Sequence, residues 1–372
     1  MSFIYLLYQL YLLVTVISFT DGKSTSSQSS CSSSCFCDED GSYVSCIGDS
    51  IWDFDATTIP HSAVRLEIRN YNIGTLSSIH LDQTNQLEEL KLQQTKIDSI
   101  ANGTFDKLNK LNRLDLSQNE IEILNAFTFQ GLHNCLKYLD LSSNHLSEID
   151  EAFLQLTNLE QLNLRSNRLC NLTINTFLGL VKLQYLNLDL NNIKSIQVGS
   201  FIHLPHLAHL ILSNNPFNQL SRIDSFGSTL QFIDISNVTL TNIPSGFPHF
   251  VRNWKLIKNN ITSIMVEDFD GYPYLNSLVL DENHLAFIET AAFGRLQLLT
   301  KLWLNKNNLK EMPIDLPLSL KELSIEENQI KKIAQPSLQG LLNLERLSLR
   351  TNQIESIQTK VFSDLINLES LD

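Results

Sequence analysis

A frame of regularly spaced apolar residues recurs along most of this chain. Its form is L-x-x-L-x-L-x-x-N-x-L, seen over residues 111–121 with Ile121 in the last position, and it returns about every 24 residues from Leu87 onward. Leu114 and Leu116 are two residues apart, so they lie on the same side of an extended chain. Each repeat is therefore predicted to begin with a β-strand whose leucines face a core.

Asparagine and phenylalanine also recur at fixed positions of this frame. An amide has both donors and acceptors, so a buried asparagine at the ninth position can bond backbone groups of its own coil and of the neighbouring coil. We interpret this ladder as structural rather than catalytic, and we expect the recurring phenylalanine rings to stack on the convex side. The asparagines are Asn119, Asn144, Asn167, Asn191, Asn215, Asn259, Asn283, Asn307, Asn328 and Asn352. The phenylalanines are Phe105, Phe129, Phe153, Phe177, Phe201, Phe269, Phe293 and Phe362.

This consensus and period resemble the leucine-rich-repeat signature over about thirteen repeats. One coil cannot bury its own apolar edge, so the coils are expected to stack into an α/β solenoid. The predicted fold is a leucine-rich-repeat horseshoe with a parallel concave β-sheet and an irregular, 3-10 or polyproline convex side. Strands about 4.8 Å apart give thirteen coils a reach of roughly 60 Å, enough for a macromolecular partner.

The chain divides into four predicted segments. Phe3 to Phe19 are almost entirely apolar, so residues 1–20 indicate a secretory signal peptide, with an uncleaved anchor as the alternative. Residues 21–30 form a Ser-rich leader with too little apolar surface to fold. Residues 31–60 form a cysteine-rich cap, and residues 61–372 hold the repeats. Because Asp372 falls within the strand of a further, incomplete repeat, we expect a fragment or a truncated gene product.

Four closely spaced cysteines precede the first repeat. The spacing C-x3-C-x-C-x8-C can bind zinc or form two disulfides, and the oxidising compartment of a secreted chain favours disulfides. Their position predicts a cap over the first edge of the solenoid. Cys135 and Cys170 lie inside the repeats, too far apart to bond, so we expect unpaired thiols; pairing with another chain is the alternative. The cap cysteines are Cys31, Cys35, Cys37 and Cys46.

Cysteine spacing, asparagine ladder and coil lengths together resemble the extracellular leucine-rich-repeat proteins, and most of all the small leucine-rich proteoglycans with chondroadherin-like cysteine spacing. The coils ending at Asn259, Asn283, Asn307, Asn328 and Asn352 alternate between 21 and 24 residues, as in that family. The resemblance implies disulfides Cys31–Cys37 and Cys35–Cys46. It also implies collagen or growth-factor partners.

Part of the chain departs from that pattern. Coils in the first half run 23 to 25 residues and equally resemble the ectodomains of Toll-like or adhesion receptors. Tyr71, Thr95 and Val238 occupy asparagine positions of the ladder. We expect a local bend at Val238, which lies in the middle of the array.

Several kinds of chemistry are disfavoured. A formal net charge of -13 and a pI near 5.1 argue against nonspecific binding of nucleic acid or anionic surfaces. No motif combines a nucleophile with a base, a phosphate loop or paired carboxylates, so we expect no enzyme activity, cofactor or small-molecule substrate. His203, His206 and His209 fall at different places in the frame and are interpreted as surface residues rather than zinc ligands.

Four N-x-T sequons predict N-glycosylation in a secreted chain. Asn237 lies beside the strand of its coil, where a glycan would narrow the concave surface. The sequons begin at Asn102, Asn171, Asn237 and Asn260.

Residues that bind a partner are expected at the outward strand positions, because the consensus residues are buried in the core. In the column just before the middle leucine of each frame, the central coils are aromatic, and the next outward column adds acids and amides. Exposed aromatics beside acids are typical of a binding patch, although ordinary strand surface is the alternative. The predicted concave patch consists of Tyr138, Asp140, Tyr185, Asn187, His209, Ile211, Phe232, Asp234 and Trp303.

The sequence therefore predicts a secreted or cell-surface protein-binding scaffold of extracellular-matrix type that uses its concave face. The alternative is the ectodomain fragment of a leucine-rich-repeat membrane receptor whose transmembrane and signalling parts are missing. A structural spacer without a saturable ligand is a third option.

Overall fold

One long β-sheet runs through the computed structural model, which describes residues 35–49, 59–81, 83–218 and 229–372. The spatial order of its sixteen described strands follows the chain order, and every pair is parallel except the antiparallel first pair. The predicted parallel-stranded solenoid is confirmed. The strands are β1 Cys35–Cys37, β2 Tyr43–Ile47, β3 Arg65–Arg69, β4 Glu89–Gln93, β5 Arg113–Asp115, β6 Tyr138–Asp140, β7 Gln161–Asn163, β8 Tyr185–Asn187, β9 His209–Ile211, β10 Phe232–Asp234, β11 Asn253–Lys255, β12 Ser277–Val279, β13 Lys301–Trp303, β14 Glu322–Ser324, β15 Arg346–Ser348 and β16 Ser370–Leu371.

Neighbouring strands align frame to frame. Leu114 of β5 is opposite Leu139 of β6, which is opposite Leu162 of β7, and all three are fully buried. Because strand side chains alternate, the residues on either side of each leucine point to the concave face. The residues predicted to form outward columns therefore do lie in columns.

The asparagine ladder bonds backbone in two coils, as predicted. Asn191 is 5% exposed, and its Nδ2 donates to the carbonyl oxygens of Leu164 and Leu188, each at 3.0 Å. Its Oδ1 accepts the N–H of Leu169, in the preceding coil, at 3.1 Å. These backbone groups lie just beyond the strands, where no sheet partner reaches them.

The ladder has a gap at Val238, which is buried and has no amide to offer. The N–H of Phe217 bonds instead to the carbonyl oxygen of Asn215 at 3.0 Å, within its own coil. The N–H of Val238 is still bonded by the next rung, Asn259, at 3.1 Å. The expected bend at Val238 stays a prediction.

Aromatic rings fill the side of the core away from the sheet. Phe105 and Phe129 stack with centroids 6.2 Å apart, and Phe177 and Phe201 stack at 5.7 Å. In the first short coil, Trp254 replaces the middle leucine and packs against surrounding rings. Its Nε1 is the one buried side-chain nitrogen or oxygen in the described residues that lacks a hydrogen-bond partner.

The convex side is irregular, as predicted. It holds three short 3-10 helices in the described residues, Ser78–His80, Val266–Phe269 and Gln335–Ser337. It also holds pairs of two-residue parallel strands, which are Thr75–Leu76 with Ser99–Ile100, Asn171–Leu172 with Ser195–Ile196, Ser263–Ile264 with Phe287–Ile288, and Lys332–Ile333 with Ser356–Ile357. No helix in the described part of the chain is long and apolar enough to cross a membrane.

A disulfide cap begins the sheet. Cys35 and Cys46 are bonded across β1 and β2, which confirms that predicted pair. Cys37 is also disulfide-bonded, and its expected partner Cys31 lies outside the described residues, as do the signal-peptide and leader segments. Cys135 and Cys170 are not bonded to each other or to another described cysteine of this chain.

Candidate concave binding site

The first outward column contains the aromatic side chains of the predicted patch. Tyr138 of β6 is opposite Gln161 of β7, and Gln161 is opposite Tyr185 of β8. His209 of β9 and Phe232 of β10 continue the column. The strand register therefore brings four of the predicted residues into one line.

Three of these rings contact one another. The centroids of Tyr185 and His209 are 6.4 Å apart, and those of His209 and Phe232 are 5.7 Å apart. These spacings are in the range of favourable aromatic pairs. The result is a continuous aromatic surface across β8, β9 and β10.

A positively charged side chain lies at each end of the aromatic column. The Arg113 guanidinium carbon is 3.8 Å from the Tyr138 ring centroid, and Lys255 Nζ is 5.4 Å from that of Phe232. Both distances fit cation–π contacts. The rings of Tyr185 and His209, between them, are not capped in this way by a described residue.

The patch is less exposed than its sequence suggests. Tyr138, Tyr185 and Phe232 are half-buried by neighbours on the same face, and only His209 of the four is exposed. Burial raises the pKa of the Tyr185 hydroxyl above its ordinary value. Burial also raises the pKa of Tyr138, with a further contribution from the nearby Asp140 carboxylate. Both hydroxyls therefore stay protonated and able to donate at physiological pH.

The second outward column, which includes Asp140 and Asn187, orients one of these hydroxyls, that of Tyr138. Asp140 is 8% exposed, and its Oδ2 accepts from the Tyr138 hydroxyl at 3.1 Å and from Asn163 Nδ2 at 2.9 Å. Asn187, also 8% exposed, accepts the backbone N–H of Asp189 at 3.0 Å. Asp140 and Asn187 thus orient neighbouring groups, while Ile211 and Asp234 remain partly exposed beside the rings.

A third outward column was missed in the sequence, because only the two positions flanking the middle leucine were read. Asp189 is its central member and bonds Arg165 Nη1 at 2.7 Å, Ser213 Oγ at 2.8 Å and Asn214 Nδ2 at 2.6 Å. The residue that follows the last leucine of each strand would have identified it. This column forms a polar border along one side of the aromatic surface.

Trp303 is not part of this patch. It lies on β13, three strands beyond Phe232, at a distance of roughly 14 Å along the sheet. Its Nε1 donates to Glu322 Oε1 at 2.9 Å, and Glu322 also pairs with Arg346 at 2.8 Å. Trp303 therefore belongs to a separate charged cluster.

All four sequon asparagines are exposed. Asn237 lies in the turn after β10 with φ of 54°, and its Nδ2 donates to Asn214 Oδ1 at 2.8 Å. This places it at the border of the concave face, next to Asn214 and Asp189. Among the described residues, no group of three or more His, Cys, Asp or Glu side chains could hold a metal ion.

Parallel strands stacked coil by coil on an asparagine ladder, with an open concave face, define a repeat solenoid. The leucine rich repeat family pattern matches residues 85–146, 124–169, 157–217 and 319–372, together about half of the chain. The chain belongs to the leucine-rich-repeat family.

Known relatives include small leucine-rich proteoglycans, in agreement with the resemblance seen in the sequence. Japanese quail (Coturnix japonica) lumican is 38% identical over 108 residues, which is 28% of this chain and 30% of lumican. Human podocan-like protein 1 is 29% identical over 286 residues, which is 76% of this chain and 47% of that protein. The chain thus spans less than half the length of either relative.

The solved structure of the Drosophila Toll–Spätzle complex matches with a TM-score of 0.72 at 23% identity, covering 83% of this chain and 43% of that chain. A likeness at this identity shows the shared solenoid fold.

Proposed function

We propose that this protein is an extracellular, matrix-type scaffold that binds a macromolecular partner through the concave patch centred on Tyr185, His209 and Phe232. The observation that carries the proposal is the continuous aromatic surface across β8 to β10. Relationship to lumican and podocan-like protein 1 supports the matrix setting.

The physical basis is a preorganised apolar anchor with a polar border. The rings are held by mutual contact, and Asp140 and Asp189 are fixed by several hydrogen bonds, so binding orders few side chains. Low ordering cost and central aromatics are the features that concentrate binding energy in protein interfaces. The five strands from β6 to β10 give the patch a length of roughly 20 Å.

We propose recognition without catalysis, cofactor or nucleic acid. Collagen or a growth factor is the proposed partner class, and it rests on family resemblance. An extended partner suits the patch, because the column runs along the solenoid rather than into a pocket.

The test replaces two anchors together, Tyr185→Ala with Phe232→Ala. Binding to immobilised triple-helical collagen and to a panel of extracellular growth factors is measured by surface plasmon resonance. For any partner bound by the wild type, loss of two central aromatics should weaken affinity by roughly 30-fold or more. The matched control, Phe127→Ala with Phe287→Ala, removes two exposed rings away from the concave strands and should bind like wild type. Equal affinity of the concave variant and wild type, with both folded by circular dichroism, would refute the proposal.

A receptor ectodomain is the second candidate. The observation that favours it is the run of regular 23- to 25-residue coils in the first half of the chain. A complete transcript with about 20 consecutive apolar residues after the array would support the receptor. A transcript that ends in a capped final coil would support the matrix protein.

We also propose that residues 1–20 direct secretion and that the four exposed sequon asparagines accept N-glycans. Expression in animal cells followed by N-terminal sequencing and glycopeptide mapping tests both. A chain retained inside the cell with an intact N-terminus would contradict secretion, and an unmodified Asn237 would leave the border of the patch free of glycan.

A further inference from the structure

Asn102 and Gly103 form the one Asn-Gly dipeptide in the sequence. They lie in a turn of the convex side, which a hydrogen bond from the N–H of Thr104 to the carbonyl oxygen of Ala101 closes at 3.3 Å. Asn102 is exposed, and Gly103 has a φ of 75°, which glycine adopts without strain. The turn therefore holds an exposed amide side chain directly before a residue that has no side chain.

The atoms of Asn102 and Gly103 that can react with each other are both unbonded. Among the described residues, the Asn102 side chain forms no hydrogen bond, and the N–H of Gly103 donates none. Cγ of Asn102 and the backbone nitrogen of Gly103 are the two ends of a potential five-membered ring. Because Gly103 has no Cβ, nothing on that residue hinders ring closure.

The reaction open to this pair is deamidation through a succinimide. The Gly103 nitrogen gives up its proton to hydroxide and attacks Cγ of Asn102, so a bond forms between these two atoms. The bond from Cγ to Nδ2 breaks, and Nδ2 takes a proton from water and leaves as ammonia. Water then opens the ring at either carbonyl carbon, which gives aspartate or isoaspartate. The net reaction consumes water, releases ammonia and needs no cofactor.

We propose that Asn102 is a site of spontaneous deamidation and that an N-glycan on the same residue blocks the reaction. The sugar is attached to Nδ2, which is the nitrogen that has to leave, and it covers the adjacent Cγ. Each copy of the chain is therefore either glycosylated at Asn102 or open to deamidation there. The blocking step rests on the glycosylation proposed above, whereas the deamidation itself does not.

The buried hydroxyl of Thr104 determines when a glycan can be added. Thr104 completes the sequon of Asn102 but is only 3% exposed. Its Oγ1 donates to the carbonyl oxygen of Ala101 at 2.6 Å and also lies 3.2 Å from that of Leu76. A transferase that recognises N-x-T has to reach this hydroxyl. A copy that folds without a glycan thus cannot gain one later, and its Asn102 stays open to deamidation.

The hydroxyl has the same structural role in another coil. Ser200 is 1% exposed, and its Oγ donates to the carbonyl oxygen of Gln197 at 2.6 Å and lies 3.0 Å from that of Leu172. The burial of Thr104 is therefore part of the repeat rather than an accident of one turn.

Isoaspartate at this position would disturb the packing of the convex side. It lengthens the main chain by one atom between Asn102 and Gly103, just before the buried ring of Phe105. Gly131 of the next coil lies against this segment so closely that a Cβ there would be 2.7 Å from the carbonyl oxygen of Phe105. Such close packing leaves no room for a longer backbone, so chains that contain isoaspartate should melt at a lower temperature than fresh chains.

Peptide mapping by mass spectrometry tests the proposal on the full-length chain from a bacterial host, which adds no N-glycan. The folded chain is incubated at mildly alkaline pH, and loss of the Asn102 amide to both aspartate and isoaspartate is expected. Asn109 is the matched internal control, because it is exposed and its side chain forms no hydrogen bond in the described residues. It precedes Lys110, whose side chain hinders attack, so it should keep its amide over the same period.

Gly103→Ala provides a second comparison. The added Cβ hinders attack by the backbone nitrogen, so Asn102 should lose its amide more slowly than in the wild type. In the fold this Cβ would meet only the tip of the Asp106 side chain, 3.0 Å from Oδ2, and circular dichroism confirms that the variant is folded. A folded wild type in which Asn102 reacts no faster than Asn109 would overturn the proposal. Loss of the amide only after unfolding in urea would also overturn it, because the turn would then protect Asn102.

The chain expressed in animal cells tests the role of the glycan. Copies with a glycan on Asn102 should keep it throughout the same incubation, while copies without one should form aspartate and isoaspartate. Equal loss in both would overturn the blocking step. A chain that is not secreted would contradict the proposed function alone, because the bacterial chain still measures deamidation.

Discussion

Removing one buried asparagine of the ladder should lower the free energy of unfolding by more than the loss of a single hydrogen bond would. Asn191→Ala deletes the one partner that the described residues offer to the Leu169 N–H, which would be left unpaired in the core. The carbonyl oxygens of Leu164 and Leu188 would each lose one bond but keep another, to Asn167 and Asn215 respectively. An unpaired buried donor costs about 1–3 kcal/mol and each of the two lost bonds about 0.5–1.5 kcal/mol, so the expected loss is about 2–6 kcal/mol.

Urea unfolding followed by circular dichroism at 25 °C measures this loss. The neighbouring Asn192 is exposed, and its side chain makes no hydrogen bond within the described residues, so Asn192→Ala is the matched control. It should change the free energy of unfolding by less than about 0.5 kcal/mol. Amide hydrogen exchange adds a local measurement, because Leu169 should lose protection in Asn191→Ala alone. If the two variants are equally stable and Leu169 stays protected, the structural account of the ladder is wrong.

Two other features give measurable effects. Burial raises the pKa of the Asp115 carboxyl above its ordinary value of 3.8, so the folded state holds its proton to higher pH than the unfolded state and stability falls as pH rises through this window. Asp115→Asn should therefore gain stability relative to wild type from about pH 4 upward, as measured by urea unfolding across a pH series; a difference independent of pH would contradict this. The Cys35–Cys46 disulfide closes a loop with a sequence separation of 11, and replacing both cysteines by serine should cost about 3 kcal/mol by loop entropy. Calorimetry would show this as earlier melting, and an unchanged transition would mean that the bond does not constrain the unfolded chain.

The fold could be predicted from the sequence because its determinants are periodic. Leu114, Leu139 and Leu162 recur at one position of the frame, and stacking of identical frames leaves no freedom in the register. The same argument predicted which residues share an outward column. It did not predict the backbone at Leu190, whose φ of 54° is unusual for leucine; the turn before Asn191 imposes it in spite of the side chain.

Details of the candidate site depended on side-chain contacts that periodicity cannot reveal. Tyr138 is covered by Arg113, a residue of the preceding coil, so its exposure was overestimated. Trp303 shares the outward face but lies too many strands away to join the aromatic surface. Asp189 was missed because only the two positions flanking the middle leucine were considered, and its contacts with Arg165 of the preceding coil and with Ser213 and Asn214 of the following coil depend on the side-chain arrangement.

The coil-to-coil register also bears on how such a chain can change over evolutionary time. In the described residues, every strand pair of the concave sheet after the antiparallel cap joins equivalent positions of consecutive coils. A duplication or deletion of one whole coil would thus create a junction chemically like the one it replaced, and the rest of the array would not need to adjust. Coils of 21 residues already lie beside coils of 24, and Asn259 and Asn328 still donate hydrogen bonds to backbone carbonyl groups of the preceding coil. The length of the protein can therefore vary in whole units while the buried residues stay the same, which leaves the outward positions free to diverge.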